Sequence, residues 1–180
     1  MRSAIVELEG KGAKGLILDL RNNGGGLLSA AVDVSDLFLD GSLVVGMEGR
    51  VERANDKLYA RPGVLTELPL VVLINEGSAS ASEIVAGALM DHERAVVVGK
   101  KSFGKGSVQT LFNLSDGSGL YVTIARYHTP SNKVIDNIGL TPQIAVEGEY
   151  NPDRKKDVQL KRAIEELVKL EKGTSPFLKK

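Results

Sequence analysis

Cysteine and tryptophan are absent from the 180 residues, and histidine occurs only at positions 92 and 128. The missing thiols exclude disulfides, thiolate metal sites and a cysteine nucleophile together. Two histidines are too few for a multi-histidine metal centre. An excess of either charge is missing too, because 23 Lys and Arg balance 23 Asp and Glu. Without surplus positive charge to hold a phosphate backbone, sequence-independent nucleic-acid binding is disfavoured. No stretch approaches the ~20 apolar residues of a membrane span. The opening MRSAIVELEG meets charged residues before any apolar run of signal-peptide length, so no export signal is expected in this chain.

The composition that remains, 42% hydrophobic and 26% charged, is that of a globular domain. A chain of this length can hide roughly 70% of the surface its unfolded form exposes, enough for one core without staples. Glycine is over-represented, at 20 residues, and the excess falls in loops.

The apolar run Gly15–Leu20 reads as a strand broken by Arg21-Asn-Asn-Gly-Gly-Gly26. Residues 27–39 predict a largely buried helix, with Ser29, Asp33 and Asp36 on one narrow polar face. A short strand is expected over 42–46, then a charged hairpin or surface excursion over 48–66. Leu68–Ile74 is the clearest strand, followed by a Gly/Ser turn and a helical pattern to about Met90. Residues 94–98 form another β-branched run, and 99–107 a loop bearing glycine and lysine. Residues 108–114 and 120–127 predict a hairpin turning at Ser115-Asp-Gly-Ser-Gly119. A final helix is expected from about Asp157 to Gly173. Strands alternating with helices indicate a layered α/β domain. Residues 151–180 hold nine Lys or Arg and five Asp or Glu, a net +4, which reads as a solvated helix face and a basic tail.

Three segments can carry chemistry. Asn75-Glu-Gly-Ser-Ala-Ser-Ala-Ser-Glu83 joins a buried strand to a helix, where free helix N–H groups favour developing negative charge. It lacks the G-x-S-x-G pattern of nucleophile elbows, and a strand–Gly/Ser turn–helix taken alone is more often just an N-cap. A serine hydroxyl needs a base. His92 lies past a helix end among charged residues and His128 beside Thr129-Pro130, so both read as surface groups. Lysine is the alternative, in Phe103-Gly-Lys-Gly-Ser-Val-Gln109. Its free pKa of about 10.4 must fall into the neutral range, which burial achieves if no carboxylate stands near. The loop 99–109 contains no Asp or Glu, and the neutral Gln109 could hold the amine. By itself the loop also reads as solvent-exposed. It does not match the G-x-x-x-x-G-K-[ST] phosphate loop. The glycines after the first strand can aim N–H groups at an oxyanion or simply make a tight turn.

Together, Leu16–Gly26, Gly77–Glu83 and Ser102–Gln109 resemble the strand and oxyanion loop, nucleophile segment and lysine segment of the tail-specific, or C-terminal processing, serine peptidases. The similarity continues through Leu114–Gly119, Ala125–Pro130 and Gly139–Gln143 to Gln159-Leu160, in the family's order. The resemblance implies a ClpP/crotonase-like core of stacked ββα units. It implies Ser80 as nucleophile, Lys105 as general base and Gln109 as the residue orienting that lysine. The oxyanion donors would be the N–H of Ala81 and that of Gly25 or Gly26. Residues 1–150 then form a peptidase core lacking the PDZ domain that usually precedes it, and residues 151–180 a C-terminal helix and basic tail on the same domain. The implied activity is endopeptidase cleavage of polypeptides near their C-termini through an acyl-enzyme, without metal or organic cofactor. The alternative is a catalytically inactive core acting as a peptide-binding or self-association module. Polypeptide is the expected partner, and homo-oligomerisation stays open. The family implies an extracytoplasmic setting, in the periplasm or cell envelope, whereas the chain read as complete would be cytoplasmic.

Overall fold

The computed structural model describes residues 1–178, so the end of the basic tail, Lys179 and Lys180, lies outside the described residues. Two four-stranded sheets form the domain. The first is parallel, in the order β1 (Leu16–Asp19), β4 (Leu70–Ile74), β5 (Val96–Gly99), β8 (Ile144–Ala145). The second is antiparallel, in the order β3 (Asp56–Tyr59), β2 (Leu43–Gly49), β7 (Gly119–His128), β6 (Ser107–Asn113). Helices α1 (Arg2–Gly10), α2 (Leu28–Ser35), α3 (Ala81–Asp91) and α4 (Val158–Glu171) complete it, with a 3-10 turn at Glu52–Ala54. This is the α/β class that the alternation of strands and helices implies. No helix among the described residues is long and apolar enough to cross a membrane.

β4 explains why the sheet is buried on both faces. All five of its residues are fully buried. Leu70, Val72 and Ile74 point into one core with Ile84, Val85 and Leu89 of α3. Val71 and Leu73 point the other way, with Val96 and Val98, onto Leu160, Ala163 and Leu167 of α4. Each such side chain contributes about 1.5–3 kcal/mol when removed from water, and a strand loaded on both faces has no alternation to read. The last residue of β5, Gly99, has to be glycine, because its φ is +127° and a Cβ there would lie 2.1 Å from the Ile74 carbonyl oxygen.

Several expectations need correction. α2 is shorter than the 27–39 pattern and not largely buried: it ends at Ser35, and Leu27 just before it is 74% exposed. Asp36 is not on a solvated face either, since its carboxylate accepts from the Arg61 backbone and guanidinium. The buried Leu37-Phe38-Leu39 supplied the apolar signal, but as an irregular segment. α1 had no clear stripe and buries only Ile5. β8, two residues long, had no pattern to show.

One buried network ties the end of β1 to α4. Arg21, with a side chain 2% exposed, makes four hydrogen bonds through its three guanidinium nitrogens. Nε and Nη2 donate to Asp19 (2.9 and 2.7 Å) and Nη1 to Asp157 Oδ1 and Gln159 Oε1 (2.9 and 3.1 Å), while Nη2 stands 2.8 Å from Asp157 Oδ2 as an ion pair. Its carbon Cζ stacks 5.0 Å from the Tyr150 ring centre. Asp157 meanwhile caps α4 by accepting from the Leu160 N–H (2.9 Å). The Gln159 amide donates on to the carbonyls of Val146 and Gly148. Arg21 opens the loop that the first strand feeds, so α4 holds that loop from behind.

Burial alone would push the Asp157 carboxyl up, but the bonds from Arg21 and the Leu160 amide prevail and hold it below the usual range. Its contribution to stability is therefore complete above the unfolded value near 4 and is lost as pH falls through the lower, folded value. Asp157→Asn should cost about 1.5–3 kcal/mol at neutral pH, because the buried guanidinium keeps Asp19 but loses the second of its two carboxylate partners. Denaturant melts from neutral to strongly acidic pH should show the gap to the unmodified protein closing below about pH 4.

Candidate active site

β1, β4 and β5 all end on the same side of the parallel sheet, where their loops converge. After β4, the chain turns through Asn75–Ala79 and enters α3 at Ser80. Ser80 has φ 56° and ψ −119°, a conformation an L-residue rarely adopts. Such a residue stores about 1–3 kcal/mol of strain and persists only where its surroundings hold it. This is a strained strand-to-helix elbow, without the flanking glycines by which a sequence usually announces one. Its neighbours play other parts. Ser78 is fully buried, with its hydroxyl donating to the Leu20 carbonyl and accepting from the Asn75 N–H, and Ser82 is buried within the first turn of α3.

Glu83 holds the elbow. Its side chain is fully buried, and its two oxygens accept four bonds. Oε2 takes the N–H of Ser80 and of Lys105, both at 2.9 Å. Oε1 takes the Ser102 hydroxyl at 2.5 Å and the Gly104 N–H at 2.7 Å. One carboxylate thus joins the backbones of Ser80 and Lys105, 25 residues apart in the chain. The Ser102 hydroxyl passes the connection on by accepting from the Leu140 N–H (2.7 Å).

The glycines beside Lys105 serve packing. A Cβ at Gly104 would lie 2.9 Å from the Gly139 nitrogen, and one at Gly106 2.3 Å from the Asp136 nitrogen. The lysine loop therefore lies backbone to backbone on residues 135–139. The Lys105 and Gln109 side chains are both exposed, so the described residues do not form a dry enclosure around the amine. The carboxylate-free surroundings read along the loop also fail in space, because Glu83 reaches it from α3.

The glycine loop after β1 leans on the elbow. Asn23 O accepts from the Ala79 N–H (3.0 Å). Asn75 Oδ1 accepts from the Asn22 and Gly77 N–H groups, and its amide donates to Asn22 Oδ1 (2.9 Å). Gly25 has φ +96°, and a Cβ there would come within 2.6 Å of the Ala79 oxygen and 2.8 Å of the Ala81 nitrogen. Its own N–H donates to Asn23 Oδ1 (3.0 Å). The N–H groups of Gly26 and Ala81 have no hydrogen-bond partner among the described residues. Beside them opens a cavity of about 160 Å³, lined by Leu20, Leu27, Ala31, Val34, Ala81 and Val85 among others. The histidines lie elsewhere: His92 Nε2 is 2.7 Å from the Leu43 carbonyl oxygen, and His128 stands 3.4 Å from Glu48 on the antiparallel sheet.

Glu83, Ser102 and the asparagine stitches were not singled out from the sequence. Glu83 had a signal, since Ser80-Ala-Ser-Glu83 has the S-x-x-E spacing by which a glutamate reaches back to an N-cap amide. Ser102 and the asparagines had none, because their partners are remote in the chain. Glu83→Gln should strand buried donors at a cost of about 1–3 kcal/mol each. Faster amide exchange at Gly104 and Lys105, with a lowered melting temperature, should report it.

A model of "Peptidase family S41" matches residues 1–146. A "Carboxyl-terminal-processing protease" of Synechocystis sp. is 50% identical over 144 residues, covering 80% of this chain and 34% of that protein. A "C-terminal processing peptidase, chloroplastic" of Tetradesmus obliquus is 45% identical over 154 residues, covering 84% and 32%. Among solved structures, "Photosystem II D1 C-terminal processing protease" superposes with a TM-score of 0.79 at 41% identity, over 89% of this chain and 41% of that one. A putative S41 protease of Bacteroides fragilis shares the fold at 21% identity, with a TM-score of 0.71 over 97% and 49%. The chain spans about a third of the length of these curated relatives. With a family model matched over most of its length and relatives near 50% identity, this chain belongs to peptidase family S41.

Proposed function

We propose that the chain carries the hydrolytic centre of a serine endopeptidase that cuts polypeptides near their C-termini. The observation that carries this reading is the strained Ser80 at the start of α3, sharing the Glu83 carboxylate with the Lys105 backbone. Lys105 takes the proton of the Ser80 hydroxyl as its oxygen attacks the scissile carbonyl. The N–H groups of Ala81 and Gly26 receive the oxyanion, each worth about 2.7–4 kcal/mol by analogy with other proteases. Gly25 is set aside as donor because Asn23 already occupies its N–H. Collapse of the intermediate passes the proton from Lys105 to the leaving amine and leaves Ser80 acylated. Water, deprotonated by Lys105, then releases the acid and restores the serine. Gln109 orients the amine without adding charge, and the 160 Å³ cavity accepts a small apolar side chain beside the cut.

A carboxylate-based reaction of the crotonase type is disfavoured by the same geometry. Glu83 is spent on four donors and has no capacity left to exchange a proton with a substrate. A second reading, a peptide-binding core without turnover, is favoured by the exposed side chains of Lys105 and Gln109. For location the proposal follows the family, an extracytoplasmic setting; relatives in Tetradesmus obliquus and Arabidopsis thaliana are named chloroplastic.

Ser80→Ala and Lys105→Ala should each reduce hydrolysis of an unstructured protein to background, with unchanged melting temperatures. A serine-reactive phosphonate should label Ser80 alone. Peptide binding without labelling or cleavage would instead identify the non-catalytic module. The rate of chemistry should climb toward alkaline pH if an amine is the base, and a flat profile from about pH 6 to 9 would exclude it.

A further inference from the structure

β6 is bonded to β7 on one side only. Two hydrogen bonds fix which of its backbone groups face outward. At one end the Tyr127 N–H donates to the Gly106 carbonyl (2.7 Å), and at the other the Leu114 N–H donates to the Ser118 carbonyl (2.8 Å). Inward-facing residues alternate along an antiparallel strand, and both ends give the same parity. Val108, Thr110 and Phe112 face β7, whereas Ser107, Gln109, Leu111 and Asn113 turn their N–H and C=O groups to the free edge. The irregularity in this pair lies on β7, where Val108 and Gln109 oppose Ala125 and Thr123, so the alternation of β6 is unbroken. None of the four outward residues has a backbone hydrogen bond on that side among the described residues.

Such an edge normally carries charge, proline or a bulge that discourages pairing. β3, at the opposite edge of the same sheet, has Asp56 and Lys57. β6 has neither charge nor proline, and from Ser107 to Thr123 the single charge is Asp116 in the turn. The edge is also flanked by exposed apolar side chains. Leu111 pairs with Tyr121 on one face, and Phe112 with Leu120 on the other. The strand starts two residues after Lys105, whose N–H shares the Glu83 oxygen with Ser80, so the open edge runs directly into the candidate site.

We propose that β6 receives an extended, apolar segment of the substrate polypeptide as a fifth strand of the antiparallel sheet. This deepens the serine-peptidase reading and rests on it. Main-chain bonds to Gln109 and Leu111 supply affinity for any sequence, and alternate side chains of the guest lie against Leu111 and Tyr121 or Phe112 and Leu120. Selection by backbone and apolar pattern suits an enzyme that acts on unfolded tails, whose backbone N–H and C=O groups are not already engaged in secondary structure.

The test uses the whole chain with Ser80→Ala, a short unstructured peptide with alternating apolar residues, and amide hydrogen exchange by NMR. Peptide should slow exchange at Gln109 and Leu111 by about tenfold or more at a concentration some ten times its dissociation constant, and leave Thr110 and Phe112 as they were. N-methylating the peptide at every second residue should weaken binding by about tenfold in one parity and far less in the other. Equal losses in both parities, no binding at millimolar peptide, or protection that grows with protein concentration alone, as in β6-to-β6 pairing of two copies, would each overturn strand addition. Phosphonate labelling of Ser80 in the unmodified chain is the separate arm. Its failure beside parity-dependent binding would defeat the serine reading and leave the edge standing.

Discussion

Everything at the candidate site turns on where a single buried carboxylate spends its lone pairs. Glu83 sits one turn into α3, out of water, with four donors around two oxygens. A buried charge is tolerable only when paired or fully hydrogen-bonded, and here the bonds come from backbone and hydroxyl rather than from a cation. The cost of desolvation is thus offset by fixing two loops to one helix turn. The same bonds hold Ser80 in a conformation it would otherwise leave, so strain at the elbow and order in the lysine loop have one origin.

Around that carboxylate the sheet provides the rigid frame. β4 is loaded with apolar side chains on both faces and cannot shift without opening two cores. The loops after β1, β4 and β5 therefore start from fixed points. They are then joined crosswise: Asn22 to Asn75, Asn23 to Ala79, Phe103 to Ser78. Glycine appears where these backbones meet, at Gly25 against the elbow and at Gly104 and Gly106 against residues 135–139. The glycine excess of the composition is in this part a record of close backbone contact.

How much of this could be read from the chain follows from the range of the interactions. β4, α3, the β6–β7 hairpin and α4 with its Asp157 cap were legible because their signals are local: an apolar run, a periodic stripe, a turn sequence, a capping residue. α2 was overextended because Leu37–Leu39 are buried without being helical, and apolarity alone does not separate the two. The three site segments were legible as segments, yet their assembly was not. Glu83 contacts residues 19 to 22 positions away, and Arg21 contacts residues 136 and 138 positions away. The glycines around Lys105 carry no local signal of why they are needed. Their reason lies in a segment 30 residues further on.

The Arg21 clamp has a consequence for where this domain can be divided. The family match ends at residue 146, whereas Tyr150, Asp157 and Gln159 all lie beyond it. A unit excised at the matched boundary would keep a guanidinium built for the interior and Asp19 beside it, but discard the second carboxylate, the amide and the ring that surround it. Transplants or circular permutations of this fold therefore have to move the helix with the loop, because the two are one electrostatic object divided between distant stretches of chain.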